Sequence, residues 1–304
     1  MSSRTTIADV ARQVGVSKGA VSFALNGRDG VSAETRERIL QTAREMGWRP
    51  SHRARSLSVS RAFTVGLVLA RQPELLGADP FFPSFIAGVE TVLAPAGQSL
   101  LLQVVPSLDA EESGYRTLAA EGRVDGVFVI DLRVSDTRIG LLSELGLRAV
   151  TLNRPDTPSP FPAVCVDDQR GVRESVEHLV ELGHTRIAYV CGPPHFLHSR
   201  QRRDAWAAAM VAAGLGADLV MDSDFTAAGG AAATEQLLDL PERPTAIVYA
   251  NDVMAIAGLG AANNRGLRVP RDLSVVGFDG TDLASHVHPP LTTVSTDPFE
   301  WGRV

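Results

Sequence analysis

The chain has 304 residues and a formal charge of -6, which excludes a small stapled scaffold and leaves room for two or three domains with their own cores. Split at Arg61, that charge resolves into 11 Lys+Arg against 5 Asp+Glu over residues 1–61, an excess of +6, and -12 over the rest; a short basic piece on an acidic body is the asymmetry expected where one part meets a polyanion and the remainder repels it. Two cysteines, Cys165 and Cys191, sit in apolar runs with no CxxC pair, so a disulfide framework is excluded and both are expected as buried thiols in a reducing compartment.

Residues 6–46 are predicted to form three short helices. Ile7, Val10, Ala11 and Val14 share one helical face, Val21 and Leu25 a second, and Ile39, Leu40, Ala43 and Met46 a third. Each has a start signal: Thr6 with Asp9 fits a capping box, Ser17 is an N-cap for the second helix and Ser32 for the third, which Gly47 and Pro50 stop. Only Val14-Gly15-Val16 separates the first two helices, a tight turn whose glycine can take a positive φ. Two helices so joined let the second enter a major groove about 12 Å wide. A bundle that merely packs on the body is the competing reading, but packing gives no reason for a charge of +6.

SHRARSLSVSR (51–61) reads as a polar, basic linker with Leu57 as its one prominent apolar residue. Beyond it, apolar, β-branched runs at 65–70, 100–105, 126–130, 149–152, 186–190, 246–250 and 274–278 alternate with helical stretches that include 84–94, 138–146, 171–182, 202–213 and 252–264. That alternation implies parallel sheets covered on both faces, in two α/β lobes. No charged-then-apolar leader opens the chain and no apolar run reaches about 18 residues, so a cytoplasmic protein without a membrane partner is expected.

The string TIADVARQVGVSKGAVSFALN (6–26), followed by GVSAETRERI and GWRP, resembles the DNA-binding head of the LacI/GalR (lactose-repressor) family over almost every position from Thr6 to Leu57. The resemblance continues through DPFFPSFIAGVE (79–90), VDGVFVI (124–130), HLVELGHTRIAYVCGP (178–193), RRDAW (202–206), ANDVMAIAGL (250–259), GLRVPRDLSVVGFDG (266–280) and PPLTTV (289–294), in order and at matching spacing. It implies a small all-α helix-turn-helix headpiece (1–50), a hinge (51–61), and a two-lobed α/β body like the periplasmic sugar-binding proteins (62–304). In that body an N-lobe of about 62–162 plus 290–304 and a C-lobe of about 163–289 close on a small molecule.

The DNA-facing set implied is Thr6, Ser17, Lys18, Gly19, Ala20, Ser22, Phe23, Asn26, Arg53, Arg55 and Leu57. Positions 18, 19 and 23 would meet base edges, RARSL (53–57) would fold into a hinge helix, and Leu57 would wedge into the minor groove. Gly19 and Ala20 stand where larger or hydroxyl side chains are frequent in the family, and Phe23 where arginine is frequent. Base reading is thereby concentrated on Lys18, the only lysine of the chain, which can donate to guanine O6 or N7 or else meet a phosphate. Phe23 can pack on a thymine methyl or belong to the headpiece core.

The effector set, at the C-terminal ends of strands, is Phe81, Phe82, Asn153, Arg154, Arg202, Asn251, Asp252 and Asp279. Amides, guanidinium and carboxylates beside aromatic faces suit a polyhydroxylated ligand. Arg202 and Asp279 could instead form a salt bridge between lobes and a helix cap, and capping the next helix is the expected role of Asn251-Asp252. Gly280 replaces a frequent second acid and Ala205 a frequent glycine. His286 with His288, and His195 with His198, lack further ligands for a metal site and read as surface or cleft residues; no cofactor is expected.

These observations predict a sequence-specific DNA-binding regulator, a repressor on a pseudo-palindromic double-stranded operator, acting as a homodimer under a small-molecule, carbohydrate-like effector, and not an enzyme. A sugar-modifying enzyme with a DNA-binding head would call for a Walker A string, a GxGxxG or a nucleophile elbow, none of which occurs. A solute-binding transport protein would call for an export signal. The last residues, DPFEWGRV, fall where the family continues into another helix and strand, as though cut short; if Val304 is the natural end, an exposed sheet edge and weakened dimerisation are expected.

Overall fold

The computed structural model describes residues 5–25, 27–48 and 61–304, and the chain divides into two compact units, Met1–Phe63 and Thr64–Val304. Asn26, Arg53, Arg55, Leu57 and nearly all of the expected hinge lie outside the described residues.

In the first unit, α1 (Ile7–Val14), α2 (Lys18–Leu25) and α3 (Ala33–Glu45) enclose a core of Val10, Ala11, Val14, Val21, Ala24, Ile39 and Ala43. The start signals are used as the sequence suggests. The Asp9 carboxylate accepts from the Thr6 backbone N–H (2.9 Å) and hydroxyl (2.6 Å). Ser17 Oγ accepts from Ala20 N–H at 3.1 Å, and Ser32 Oγ from Thr35 N–H at 3.3 Å. Gly15 turns the chain at φ 76°, so that its N–H and that of Val16 both donate to the Ala11 carbonyl.

The second unit holds two parallel five-stranded sheets. The first comprises β1 (Thr64–Ala70), β2 (Ser99–Val105), β3 (Gly126–Val129), β4 (Ala149–Leu152) and β5 (Ala163–Val164), in the order β2-β1-β3-β4-β5. The second comprises β6 (Ile187–Cys191), β7 (Val220–Asp222), β8 (Ala246–Tyr249), β9 (Ser274–Asp279) and β10 (Thr292–Ser295), in the order β10-β9-β8-β6-β7. Both sheets therefore follow one plan, 2-1-3-4-5 within each lobe. In such a sheet the chain leaves the first and third strands in opposite directions, which opens a crevice beyond their C-terminal ends.

The helices between strands are α4 (Pro73–Ala78), α5 (Phe81–Leu93), α6 (Leu108–Ala120), α7 (Thr137–Glu144), α8 (Asp168–Glu181), α9 (Leu197–Ala212), α10 (Ala227–Leu238), α11 (Asp252–Asn264) and α12 (Pro298–Arg303). Along β1 the period of two sorts the side chains: Leu67 and Leu69 join Phe82, Phe85 and Val89 on one face, while Val68 joins Tyr115 and Leu118 on the other. The second sheet is buried among one larger cluster in which Trp206 stacks on Tyr189 at 5.8 Å.

The return to the first lobe comes later than residue 290, because Thr292–Ser295 pairs with β9 and only α12 packs on α5. Cys165 is exposed, unlike Cys191. Its run, AVCVDD, leaves the first sheet after Val164, so the apolar pattern there belongs to a crossing segment and not to a covered strand.

Candidate effector cleft and nucleic-acid interface

The loops after β1, β3, β4, β6, β8 and β9 converge on a cleft that encloses about 780 Å³ when the open solvent at its mouth is included. Six of the expected residues line it: Phe81, Phe82, Asn153, Arg202, Asn251 and Asp279. Two do not. Arg154 is exposed outside it, because the turn after Asn153 carries it outward. Asp252 is fully buried and consumed internally, accepting from the Thr281 N–H (2.8 Å) and hydroxyl (2.9 Å) and from the Thr293 hydroxyl (2.5 Å).

Arg202, 9% exposed, is held on three sides. Its Nε and Nη2 donate to Asp168 Oδ2 at 3.0 and 2.7 Å, its Nη1 donates to the Ala250 carbonyl at 2.9 Å, and its guanidinium lies 3.8 Å from the Phe278 ring centre. Asp168 comes from the same lobe, so Arg202 does not bridge the lobes. The other carboxylate oxygen, Asp168 Oδ1, is buried without a hydrogen-bond partner, an exception among buried acceptors, which are ordinarily bonded.

Arg71, at the end of β1, donates to Asp131 Oδ2 at 2.8 Å and lies 4.0 Å from the ring centre of Phe196 and 5.8 Å from that of Phe225. Those two rings belong to the second lobe, so Arg71 ties the lobes at the back of the cleft. Backbone bonds run beside it, from Leu197 N–H to the Leu132 carbonyl (2.8 Å) and from Val134 N–H to the His195 carbonyl (3.0 Å).

Asn153 is a positioning group: it sits at φ 70° and its Oδ1 accepts from Val166 N–H at 2.8 Å, which fixes the crossing segment. Asn251 caps α11 through Met254 N–H (2.9 Å) and donates to the Phe225 carbonyl (3.0 Å). Gly280 has φ 72°, and a Cβ there would stand 2.7 Å from Ser295 Cα, so the acid frequent at this position has no room.

The electrostatics follow from burial. Burial raises the Asp79 carboxyl above the usual carboxylate range, and raises Asp279 well above it despite Arg202. Burial also opposes ionisation of Asp131, but Arg71 outweighs it and holds that group low. The His198 imidazole, on the cleft wall, is pushed down to about 4 by burial and by Arg202.

Sequence reasoning missed Arg71, Asp79, Asp131, Asp168 and Trp301 as lining residues, while His198, read as a surface or cleft residue, lines the cleft. Arg71 and Asp131 do follow predicted strands, which was a usable signal. A second one is visible in the backbone: of the non-glycine residues with positive φ, Asp131, Asn153, Phe225 and Asp279 all border the cleft, and strain of this kind gathers at binding sites. His286 is largely exposed, and among the described residues no group of three or more His, Cys, Asp or Glu side chains is placed to hold a metal.

In the first unit, α2 presents Ser17, Lys18 and Gly19 to solvent, with Ala20 and Ser22 partly covered and Thr6 exposed near the start of α1. Phe23 is 40% exposed and stays out of the core. One edge of its ring lies over Gly30, where a Cβ would come within 3.2 Å of it. The exposed start of α2 thus carries one cation, Lys18, with the exposed Phe23 on the same helix.

A helix-turn-helix head with a two-lobed body whose cleft is polar, aromatic and ringed by strand ends defines a ligand-responsive DNA-binding protein. Residues 6–51 match the model described as bacterial regulatory proteins, lacI family, and residues 176–304 that of a periplasmic binding protein-like domain. Among curated relatives, the HTH-type transcriptional regulator CelR of Thermobifida fusca is 35% identical, covering 99% of this chain and 89% of that protein. The HTH-type transcriptional repressor CytR of Escherichia coli (strain K12) is 33% identical, covering 98% and 86%. Among solved structures, a lac repressor dimer bound to operator and the anti-inducer ONPF matches with TM-score 0.85 at 30% identity, covering 99% of this chain and 90% of that one. A CelR–cellobiose complex matches at 0.73 and 34%, with the same coverage. The chain belongs to the lacI family of bacterial regulatory proteins and is a DNA-binding transcriptional regulator. Among the described residues, no helix is long and apolar enough to cross a membrane.

Proposed function

We propose that this regulator is a cytoplasmic repressor that binds a pseudo-palindromic operator as a homodimer and is controlled by a carbohydrate-like effector, acting by binding and not by catalysis. In this reading residues 1–50 bind DNA, 51–61 form a hinge, and the body holds the effector. Lys18 and Phe23 read bases, while Thr6, Ser17, Gly19, Ala20, Ser22 and Asn26 set the approach of α2, and Arg53, Arg55 and Leu57 act from the hinge. Arg202, Asp279, Phe81 and Phe82 hold the effector, with Asn153 and Asn251 shaping the wall.

The observation that carries the effector assignment is the unpartnered oxygen of Asp168, 7% exposed, beside an Arg202 already fixed on its other sides. A ligand hydroxyl donating to Asp168 Oδ1 and accepting from a neighbouring donor would complete the wall. Effector binding shifts the lobe arrangement, and so the separation at which two headpieces meet their half-sites.

A thermal-shift screen of sugars and nucleosides tests this directly. A true effector at about 100 times its Kd stabilises the native state by about 2.7 kcal/mol, and Asp168→Ala abolishes that shift. A screen in which no sugar or nucleoside raises Tm contradicts the effector assignment.

A further inference from the structure

We infer that the effector carries a protonated amine, an amino sugar or a related amino-polyol, seated in an acidic and aromatic corner formed by Asp79, Asp279, Phe81 and Trp301. The inference rests on the reading of the cleft as a carbohydrate-like site and narrows the class of ligand.

Acidic side chains outnumber basic ones in the cleft. Four carboxylates line the cleft, Asp79, Asp131, Asp168 and Asp279, against two guanidiniums, Arg71 and Arg202. Each guanidinium is committed: Arg71 to Asp131 at 2.8 Å, and Arg202 to Asp168 through two bonds to one oxygen. Neither donates to Asp79 or Asp279, although the Arg202 charge and the Asp252 backbone N–H both favour the Asp279 anion. The imidazole on the wall, His198, is held neutral at pH 7 by its depressed pKa. Asp79 accepts only the N–H of Phe81, at 3.0 Å. Burial disfavours both remaining carboxylates as anions, and Asp79 adds its repulsion to Asp279. An ammonium in the cleft supplies a counter-charge that a neutral polyol lacks, and so favours the ionised form of both carboxyls.

The aromatic side chains divide the same way. Phe196 and Phe225 already face the Arg71 cation, whereas Phe81 and Trp301, with ring centres 6.3 Å apart and planes inclined at 49°, have no cation of the described residues over them, although Phe85 stacks on Phe81 at 5.8 Å. Trp and Phe faces beside a carboxylate are the setting in which an ammonium is bound by cation–π attraction as well as by charge. Phe81 stands two residues after Asp79, at the first turn of α5, so one loop delivers the acid and the ring together. The independent sign that this cleft is made for a ligand is Asp168, a lining residue whose Oδ1 is buried with no hydrogen-bond partner.

The test is isothermal titration of the full chain with matched sugars: glucose, glucosamine and N-acetylglucosamine, and cellobiose beside the β-1,4 disaccharide of glucosamine and its N-acetylated form. The expected result is that a free-amine member binds at least tenfold more tightly than its hydroxyl analogue, that N-acetylation removes the gain, and that Asp79→Asn removes the preference. The N-acetyl comparison needs no variant, so it stands even where Asp79→Asn fails to fold. A neutral sugar binding as well as or better than its amine overturns the inference and leaves the carbohydrate reading intact. Absence of binding across all six overturns both.

Discussion

In the proposed reading, base recognition by this regulator rests on Lys18. It occupies the first turn of α2, exposed, and no other side chain of that helix carries a charge. The neighbours Gly19 and Ala20 are too small to reach a base edge with a polar group. Lys18→Ala should therefore cost about 1–3 kcal/mol on the preferred operator and much less on random duplex, measured by competition binding at fixed salt. An equal loss on both sequences would assign Lys18 to phosphate. The second residue-scale expectation concerns His198. Free histidine titrates near 6.5, and burial followed by Arg202 and Arg71 lowers the folded value to about 4, against the opposing pull of Asp131 and Asp168. Between these values the unfolded chain takes up a proton that the native state refuses. This contribution is complete above about pH 6.5 and is lost as pH falls toward about 4, approaching about 1.4 kcal/mol per pH unit near the middle of the window. Replacing His198 with Gln should flatten the fall in Tm between pH 6.5 and 4.5 relative to the parent. Parallel curves would place the pH response elsewhere.

At the scale of elements, two helical glycines behave oppositely, and the reason lies in what each faces. A Cβ at Gly19 meets nothing closer than Ser17 Oγ at 3.6 Å, so Gly19→Ala should raise headpiece stability by up to about 1 kcal/mol. Operator affinity should fall if the DNA backbone comes close there. At Gly230 of α10 a Cβ would stand 2.5 Å from Met254 Cα in α11, so the same change should cost about 1–3 kcal/mol in spite of its helical propensity. Thermal denaturation of the two variants distinguishes the signs. Long, strongly periodic elements were legible in the sequence: α11 was expected at 252–264 and spans Asp252–Asn264, and β4 was expected at 149–152 and spans Ala149–Leu152. The two-residue β5 and three-residue β7 are too short to show a period. The strand of 292–295, within a stretch expected to belong to the first lobe, joins the second sheet because its partner is chosen by tertiary pairing with β9.

For the whole molecule, strand ends predict where a cleft forms better than residue chemistry predicts what lines it. Asn153, Arg202, Asn251 and Asp279 were legible because each follows or faces a strand end. Asp252 was misplaced because a carboxylate at the start of a helix reads alike whether it looks into a cleft or, as here, satisfies two threonines inside the lobe. Asp79 and Trp301 escaped notice because their role depends on loops brought together from distant positions. The basic first unit and the acidic remainder fit a division in which one binds a polyanion and the other a small molecule.

The decisive measurement is fluorescence anisotropy of the full chain on a labelled palindromic duplex selected from random DNA, with and without the sugar that raises Tm most. Affinity for the selected duplex should exceed that for random duplex by a factor on the order of 10³ or more at matched salt, and the sugar should change it by about 5- to 150-fold. Equal affinity for both duplexes, or a bound sugar that leaves operator affinity unchanged, would contradict a ligand-controlled, sequence-specific regulator.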